Sequence, residues 1–381
     1  MLEMVFNRSL FIGEGALEKF PQVLASHQKK KVFLVVFDQS AAFVKKAIQL
    51  LEADSIGTVL YDQVKSEPDI EVIDQGVELI LQHRCDAVVA IGGGSVMDAA
   101  KSIALIATNG GSAEDYQMHG RAVTTDPLFL AAVPTTAGTG AEATKVSVIL
   151  NNKTGWKKSM YHNSMIAGAV FLDPAATMGL PPRFIASTGI DALTHAIESC
   201  FSLFANEVSR MYSLKALRLI VDNLHKAYSD STDTKAHENM LLGSYLAGCA
   251  ISAGTGLAHI IGQPVGALYH ISHGEICSIL LPGSMRANTP FAKPYLLDIA
   301  KTLGTDEVGK SEDEAIEAAI VYIEKLIASV NGPHKLTDYV SLDKIDIEAI
   351  VSGVQESMGH VKNNPRPVEP LVIRQMIKEV L

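Results

Sequence analysis

The chain changes its hydrophobic rhythm once, and that change limits the folds open to it. Up to about residue 180, continuous apolar runs alternate with segments of helical spacing. KVFLVVFD (31–38) and GTVLYDQ (57–63) read as buried strands, and IEVIDQGVELILQH (70–83) as a helix. DAVVAIGGG (86–94) is a strand entering a glycine turn, and SVMDAAKSIALIATNG (95–110) a helix that stops at glycine. LFLAAVPTTAGTG (128–140) is a strand entering a second small-residue turn, and VSVILN (146–151) and AGAVFLDP (167–174) add strands. Strands that are apolar on both faces and alternate with helices require a parallel sheet covered on both sides. After Leu180-Pro181-Pro182 the pattern turns helical. Helices are expected over 183–203, 206–228, 235–252, 256–269, 274–287, 291–303, 311–329, 343–358 and 368–380. The expectation is an α/β domain over 1–180 and an all-helical domain over 181–381, with a ligand site in the cleft between them.

Composition narrows the function classes. At 381 residues, 48% hydrophobic and 19% charged, the chain supports two cores. No apolar run reaches the roughly 18 residues of a membrane helix. The opening MLEMVFNRSLFIGEG lacks an uninterrupted apolar stretch of signal-peptide length, so neither membrane nor export is expected. A net charge of −10 without a basic stripe argues against a nucleic-acid partner. Cys85, Cys200, Cys249 and Cys277 form no CxxC pair; they fit a reducing cytoplasm and argue against a thiolate metal site.

Two turns suit phosphate. Gly92-Gly93-Gly94-Ser95 joins a strand to a helix, where backbone amides and close approach favour anions. Ser95 is expected to cap that helix, with Asp98 three residues on in a capping-box-like arrangement. The run is neither GxGxxG nor a P-loop, and a purely structural turn is an equal alternative. Thr135, Thr136 and Thr139 in the second turn offer hydroxyls to phosphate or ribose, and both turns are expected at the same sheet edge. Asp38, ending its strand, is either a ribose acceptor that repels a 2′-phosphate or a plain turn aspartate.

A different chemistry lies in the helical half. In GIDALTHAIES, Asp191 and His195 stand four apart and so leave one helix face together, while Ile190, Leu193 and Ile197 pack elsewhere. His259 in GTGLAHIIGQPVG and His273 in YHISHGEICS complete a set of one carboxylate and three imidazoles. That set suits a divalent first-row metal such as Fe²⁺ or Zn²⁺. His270 is a fifth candidate. The other histidines, including His27, His83, His119, His225, His237, His334 and His360, read as surface or loop residues.

In this order, IGGGSVMDAAK, VPTTAGTGAEAT, FLDPAATMGLPPRFIASTGIDALTHAIE, GLAHIIGQPVGALYHISHGEICSILLP and NNPRPVEPLVIRQMI are specific. The chain resembles, nearly end to end, the iron-containing (group III) alcohol dehydrogenases, related in fold to dehydroquinate synthase and glycerol dehydrogenase. The resemblance implies a Rossmann-like nucleotide-binding domain followed by a helical metal-binding, catalytic domain. It implies a metal on Asp191, His195, His259 and His273, with Fe²⁺ preferred over Zn²⁺. It implies pyrophosphate at Gly93, Gly94 and Ser95, with Asp98 on the adjoining helix, and a threonine turn at Thr135, Thr136 and Thr139. Asp38 would select NAD over NADP, and Lys158 would lie near the cofactor. The implied activity is interconversion of a small alcohol and its aldehyde or ketone by a cytoplasmic homodimer or higher homo-oligomer.

Two departures bear on chemistry. Many relatives carry a second histidine four residues after the third ligand; here that position is Gln263, which cannot titrate. His270 then becomes the candidate proton relay. Where many relatives have Asn-Pro after the second strand, this chain has Glu67-Pro68. The competing readings are a dehydroquinate synthase-type lyase, which needs a more basic pocket than His270, Lys158 and Arg121 make, a glycerol dehydrogenase-like polyol oxidoreductase, and a non-catalytic NAD- or metal-binding protein.

Overall fold

A computed structural model describes residues 3–65, 67–356 and 361–381. They fall into two compact units, Met4–Met178 and Gly179–Leu381, the latter with Glu3.

The first unit is built on a six-stranded parallel sheet in the order β1-β8-β5-β4-β2-β3. Its strands are β1 (Ser9–Ile12), β2 (Lys31–Val36), β3 (Gly57–Tyr61), β4 (Ala87–Gly92), β5 (Phe129–Pro134) and β8 (Ala169–Leu172). β2, β4 and β5 are almost wholly buried, as their unbroken apolar runs require. Helices α1 (Phe20–Ser26), α2 (Ala42–Ala53), α3 (Ile70–Gln82), α4 (Gly94–Asn109) and α5 (Ala113–Gln117) complete the unit. One core gathers Leu17, Phe20 and Leu24 against the β2, β4 and Phe171 side chains.

Two strands depart from expectation. VSVILN does not join the large sheet. It forms β6 (Val146–Asn151), paired antiparallel with β7 (Trp156–Tyr161) in a separate ribbon. The reason is visible in its burial, which alternates residue by residue and marks a strand covered on one face only. β7, with two lysines, and β1, only four residues long, gave no continuous apolar signal.

The second unit is helical: α6 (Pro182–Phe201), α7 (Glu207–Ser229), α8 (Thr234–Ala250), α9 (Leu257–Tyr269), α10 (His273–Leu303), α11 (Glu312–Ser329), α12 (Ile347–Glu356) and α13 (Pro370–Glu379). The expected helices 274–287 and 291–303 run together as α10. The break survives as non-helical backbone at Ala292, between Pro290 and Pro294, which remove helix donors. α12 starts later than residue 343, because Leu342–Lys344 is a short 3₁₀ turn and Asp346 accepts from Ala349 N (3.0 Å). The end of the expected helix 343–358 and His360 lie outside the described residues. α6 was expected to show an apolar face and a polar face. Instead every residue from Gly189 to Phe201 is buried, so Asp191 and His195 sit inside the unit. His237, expected at the surface, is buried near the start of α8.

Candidate active site

In the first unit, strand register lines up the polar ends. Val36 pairs with Ile91, so Asp38 and Gly93 each follow a matched position by two residues. Gly92 pairs with Pro134, which sets Thr135 opposite Gly93, and Thr135 N donates to Gly92 O (3.0 Å). β2 leads outward to β3, and the chain returns as β4 on the other side of β2. The carboxyl ends of β2 and β4 therefore flank a topological switch point, where open α/β sheets bind ligands.

The two small-residue turns touch. A Cβ on Gly94 would lie 2.7 Å from Thr139 Cγ2, and one on Gly93 would lie 3.2 Å from Thr136 Oγ1. Only glycine lets α4 begin this close to the threonine turn. The expected capping by Ser95 is not found. Gly93 is the N-cap and makes no side-chain cap, while Ser95 is already the second helical residue. Asp98 forms no capping box either; its carboxylate accepts from Val148 N (3.0 Å) and pairs with the buried Lys101 (3.5 Å). With no N-cap side chain bound to them, the first amides of α4 keep their anion-binding character. Asp38 is exposed and makes an Asx-type turn, accepting from Ser40 N (2.8 Å) and Ser40 Oγ (2.7 Å). Those hydrogen bonds lower its pKa and keep it charged. Lys158 lies exposed on the β6–β7 ribbon.

In the second unit, α6, α9 and the start of α10 converge on one carboxylate oxygen. Asp191 Oδ1 lies 3.7 Å from His195 Nε2, 3.6 Å from His259 Nε2 and 3.5 Å from His273 Nε2. The His195 and His259 rings stack at 4.5 Å, and the His259 and His273 rings are tilted at 5.1 Å. Asp191, His195 and His259 are 4%, 6% and 8% exposed, whereas the His273 side chain is 43% exposed, so the group opens on its His273 side. α10 reaches α6 through Gly274, where a Cβ would lie 2.0 Å from Ser187 O.

The electrostatics follow from burial and charge. Burial works against the Asp191 carboxylate, but His195, His273 and His259 outweigh it and hold its pKa far below the usual range. Burial also opposes a charged His259, yet Asp191 and Glu198 push its pKa up to about 9. Among the described residues, His259 Nε2 is buried with no hydrogen-bond partner, an arrangement that costs about 1–3 kcal/mol when nothing satisfies it. Three imidazole nitrogens around one oxygen, just beyond hydrogen-bond reach, fit a divalent cation.

Two residues escaped the sequence reading. Cys277 Sγ joins the ligand atoms of Asp191, His259 and His273 in a group whose members lie within 4.8 Å of one another. It stands one turn after His273, the same i, i+4 spacing that marked Asp191 and His195. Burial, reinforced by Asp191 and Glu198, raises its pKa well above that of an ordinary thiol. It is therefore a protonated neighbour, 3.9 Å from Asp191 Oδ1. Glu198, seven residues after Asp191 on α6, is fully buried and accepts from His259 Nδ1 (2.7 Å). Gln263 is exposed on α9, and His270 ends that helix, exposed and in left-handed backbone (φ 55°).

Comparison with known proteins decides the family. The family model for iron-containing alcohol dehydrogenase matches residues 7–174, and the model for the C-terminal part of the Fe-containing alcohol dehydrogenase family matches 185–381. The chain belongs to the iron-containing alcohol dehydrogenase family. It is 34% identical to alcohol dehydrogenase 4 of Saccharomyces cerevisiae over 360 residues, covering 93% of this chain and 92% of that one. The crystal structure of a 1,3-propanediol oxidoreductase superposes with a TM-score of 0.95 at 29% identity, covering all of both chains. Sulfoacetaldehyde reductase from Bifidobacterium kashiwanohense, in complex with NAD⁺, gives 0.91 at 25% identity, covering 100% of this chain and 98% of that one. The chain is thus an alcohol oxidoreductase of the metal-dependent, iron-containing alcohol dehydrogenase type.

Proposed function

We propose that Asp191, His195, His259 and His273 together hold one divalent metal, Fe²⁺ in preference to Zn²⁺, and that the enzyme interconverts a small alcohol and its aldehyde or ketone with NAD in preference to NADP. The observation that carries this reading is the three imidazole Nε2 atoms 3.5–3.7 Å from Asp191 Oδ1, one of them buried and unpartnered. When bound, the metal supplies Lewis acidity toward an alcohol or carbonyl oxygen, and the nicotinamide exchanges a hydride with the adjacent carbon.

The chain's own groups divide the remaining work. Asp191 carries the compensating charge, and the imidazoles are neutral donors. The amides of Gly93, Gly94 and Ser95 receive pyrophosphate, and the hydroxyls of Thr135, Thr136 and Thr139 receive phosphate or ribose oxygens. Asp38 accepts from a ribose diol and repels a 2′-phosphate. Asp98, tied to Lys101 and Val148, braces the first turns of α4. Lys158 contributes positive charge near the cofactor. His270 moves the alcohol proton, a task Gln263 cannot perform.

Four free cysteines support a reducing, cytoplasmic setting, and the edge strand β1, with Ile12 exposed, supports a homodimer or higher homo-oligomer. Among the described residues, no single helix is long and apolar enough to cross a membrane. The test is a panel of small alcohols and aldehydes, run with NAD and with NADP on protein loaded anaerobically with Fe²⁺. Turnover of one substrate class with NAD is expected. No turnover of any member, or a preference for NADP, would overturn the reading.

A further inference from the structure

The closing motif NNPRP is built into the second unit through a buried polar chain. Asn364 donates to Asn288 Oδ1 (2.9 Å) and to Arg366 O (2.7 Å). Asn288 donates to Asn364 Oδ1 and to Ser284 O, each at 3.0 Å. Ser284 Oγ donates to Glu198 Oε1 (2.6 Å). Glu198 is the end of the chain, and it is fully occupied. Oε1 also accepts from Ala258 N (2.7 Å), while Oε2 accepts from Gly256 N (2.8 Å) and His259 Nδ1 (2.7 Å), with a longer contact from His259 N (3.4 Å).

A carboxylate surrounded in this way can only accept. Four of its neighbours, the three backbone amides and the serine hydroxyl, are donors by nature or by placement. The fifth, His259 Nδ1, must then carry a proton. In the neutral ring that a metal binds, that fixes the tautomer and leaves the lone pair on Nε2, which among the described residues has no hydrogen-bond partner and lies 3.6 Å from Asp191 Oδ1. The same carboxylate satisfies the first amides of α9, so it sets the helix and the ring it carries together. From this geometry we infer that Glu198 is the positioning residue of the centre. It holds His259 in the Nδ1–H form with Nε2 facing the metal, and Ser284, Asn288 and Asn364 clamp it in place. The inference rests on the metal set proposed above.

The test measures metal affinity, not turnover. Co²⁺ dissociation constants are determined by chelator competition for the unmodified protein, Glu198→Gln and Ser284→Ala, alongside melting temperatures of the metal-free forms. In Glu198→Gln an amide NH₂ replaces one acceptor, so either His259 loses its partner or a backbone amide is opposed. Co²⁺ affinity should fall about 10–100-fold, as for other partners of metal-bound histidines. Ser284→Ala removes a hydrogen bond to the same carboxylate but leaves that of His259; it should lower the melting temperature and keep the affinity. Unchanged affinity in Glu198→Gln, or affinity lost in step with melting temperature in both variants, would overturn the inference. Unmodified protein that binds no Co²⁺ would overturn the metal reading itself. Should Glu198→Gln not fold, ¹⁵N spectra of histidine-labelled, Zn²⁺-loaded unmodified protein decide: the His259 proton is expected on Nδ1, and a proton on Nε2 would contradict the assignment.

Discussion

Gly274 is where the second unit's geometry is most exposed to a single atom. It follows His273, the first residue of α10, and an added Cβ would lie 2.0 Å from Ser187 O on α6. Ordinary contact begins at 3.4 Å, so Gly274→Ala forces a displacement of about 1.4 Å between two backbones, neither of which is a flexible side-chain end. Overpacking of this kind costs about 1–3 kcal/mol. At about 2–4 °C per kcal/mol for a unit of this size, the metal-free helical unit should melt roughly 2–12 °C lower. The same displacement moves His273 away from Asp191, now 3.5 Å apart. Misplacement by about 1 Å can cost on the order of 100-fold in activity, and Co²⁺ affinity should fall with it. Calorimetry of the metal-free protein and competitive Co²⁺ titration read the two effects separately. A Gly274→Ala protein that melts and binds Co²⁺ like its parent would show that α10 reaches α6 with slack, and the argument from close approach would fail.

Other expectations follow from the same structure. Asp38→Gly should raise the use of NADP relative to NAD, each tenfold shift corresponding to about 1.4 kcal/mol; an unmodified protein that already prefers NADP would contradict the role given to Asp38. Burial raises the pKa of Glu142, beside the threonine turn, to about 7, so the folded chain holds a proton there that the unfolded chain releases above its ordinary value. Its contribution to stability is thus lost as pH rises toward and through about 7. The melting temperature of Glu142→Gln relative to the parent should climb from pH 5 to pH 8, and a pH-independent difference would refute this. His270→Asn suits the left-handed backbone at that position and cannot titrate. If His270 relays the alcohol proton, the variant should slow oxidation by up to about 10²–10⁴ and flatten its pH dependence at unchanged metal content. An unaltered profile would leave water as the carrier.

Much of this was legible because it rests on spacing. Asp191 and His195 at i, i+4 declared a shared helix face, and the strands running into Gly93 and Thr135 declared a common sheet edge, which strand register then aligned with Asp38. Less legible was anything set by what packs from elsewhere in the chain. Ser95 stands where a cap would be expected, but Gly93 takes that position because α4 starts two residues earlier, against Thr139. Glu198 looks like one more residue of α6; only the arrival of α9 and α10 gives it its donors. Cys277 was set aside for want of a CxxC pair, yet it sits one turn after His273. β6 is readable as a strand, but its place in a separate ribbon and its partner β7, with two lysines, are not.

The proposed centre, one metal on Asp191, His195, His259 and His273, is tested by titrating metal-free protein with Fe²⁺ under anaerobic conditions, following bound iron by elemental analysis and NADH formation with a substrate alcohol. Activity should rise in proportion to iron, stop at one equivalent per chain, and be lost together with tight binding in His273→Ala. Full activity without metal, or a His273→Ala protein that binds one equivalent at unchanged affinity, would contradict it.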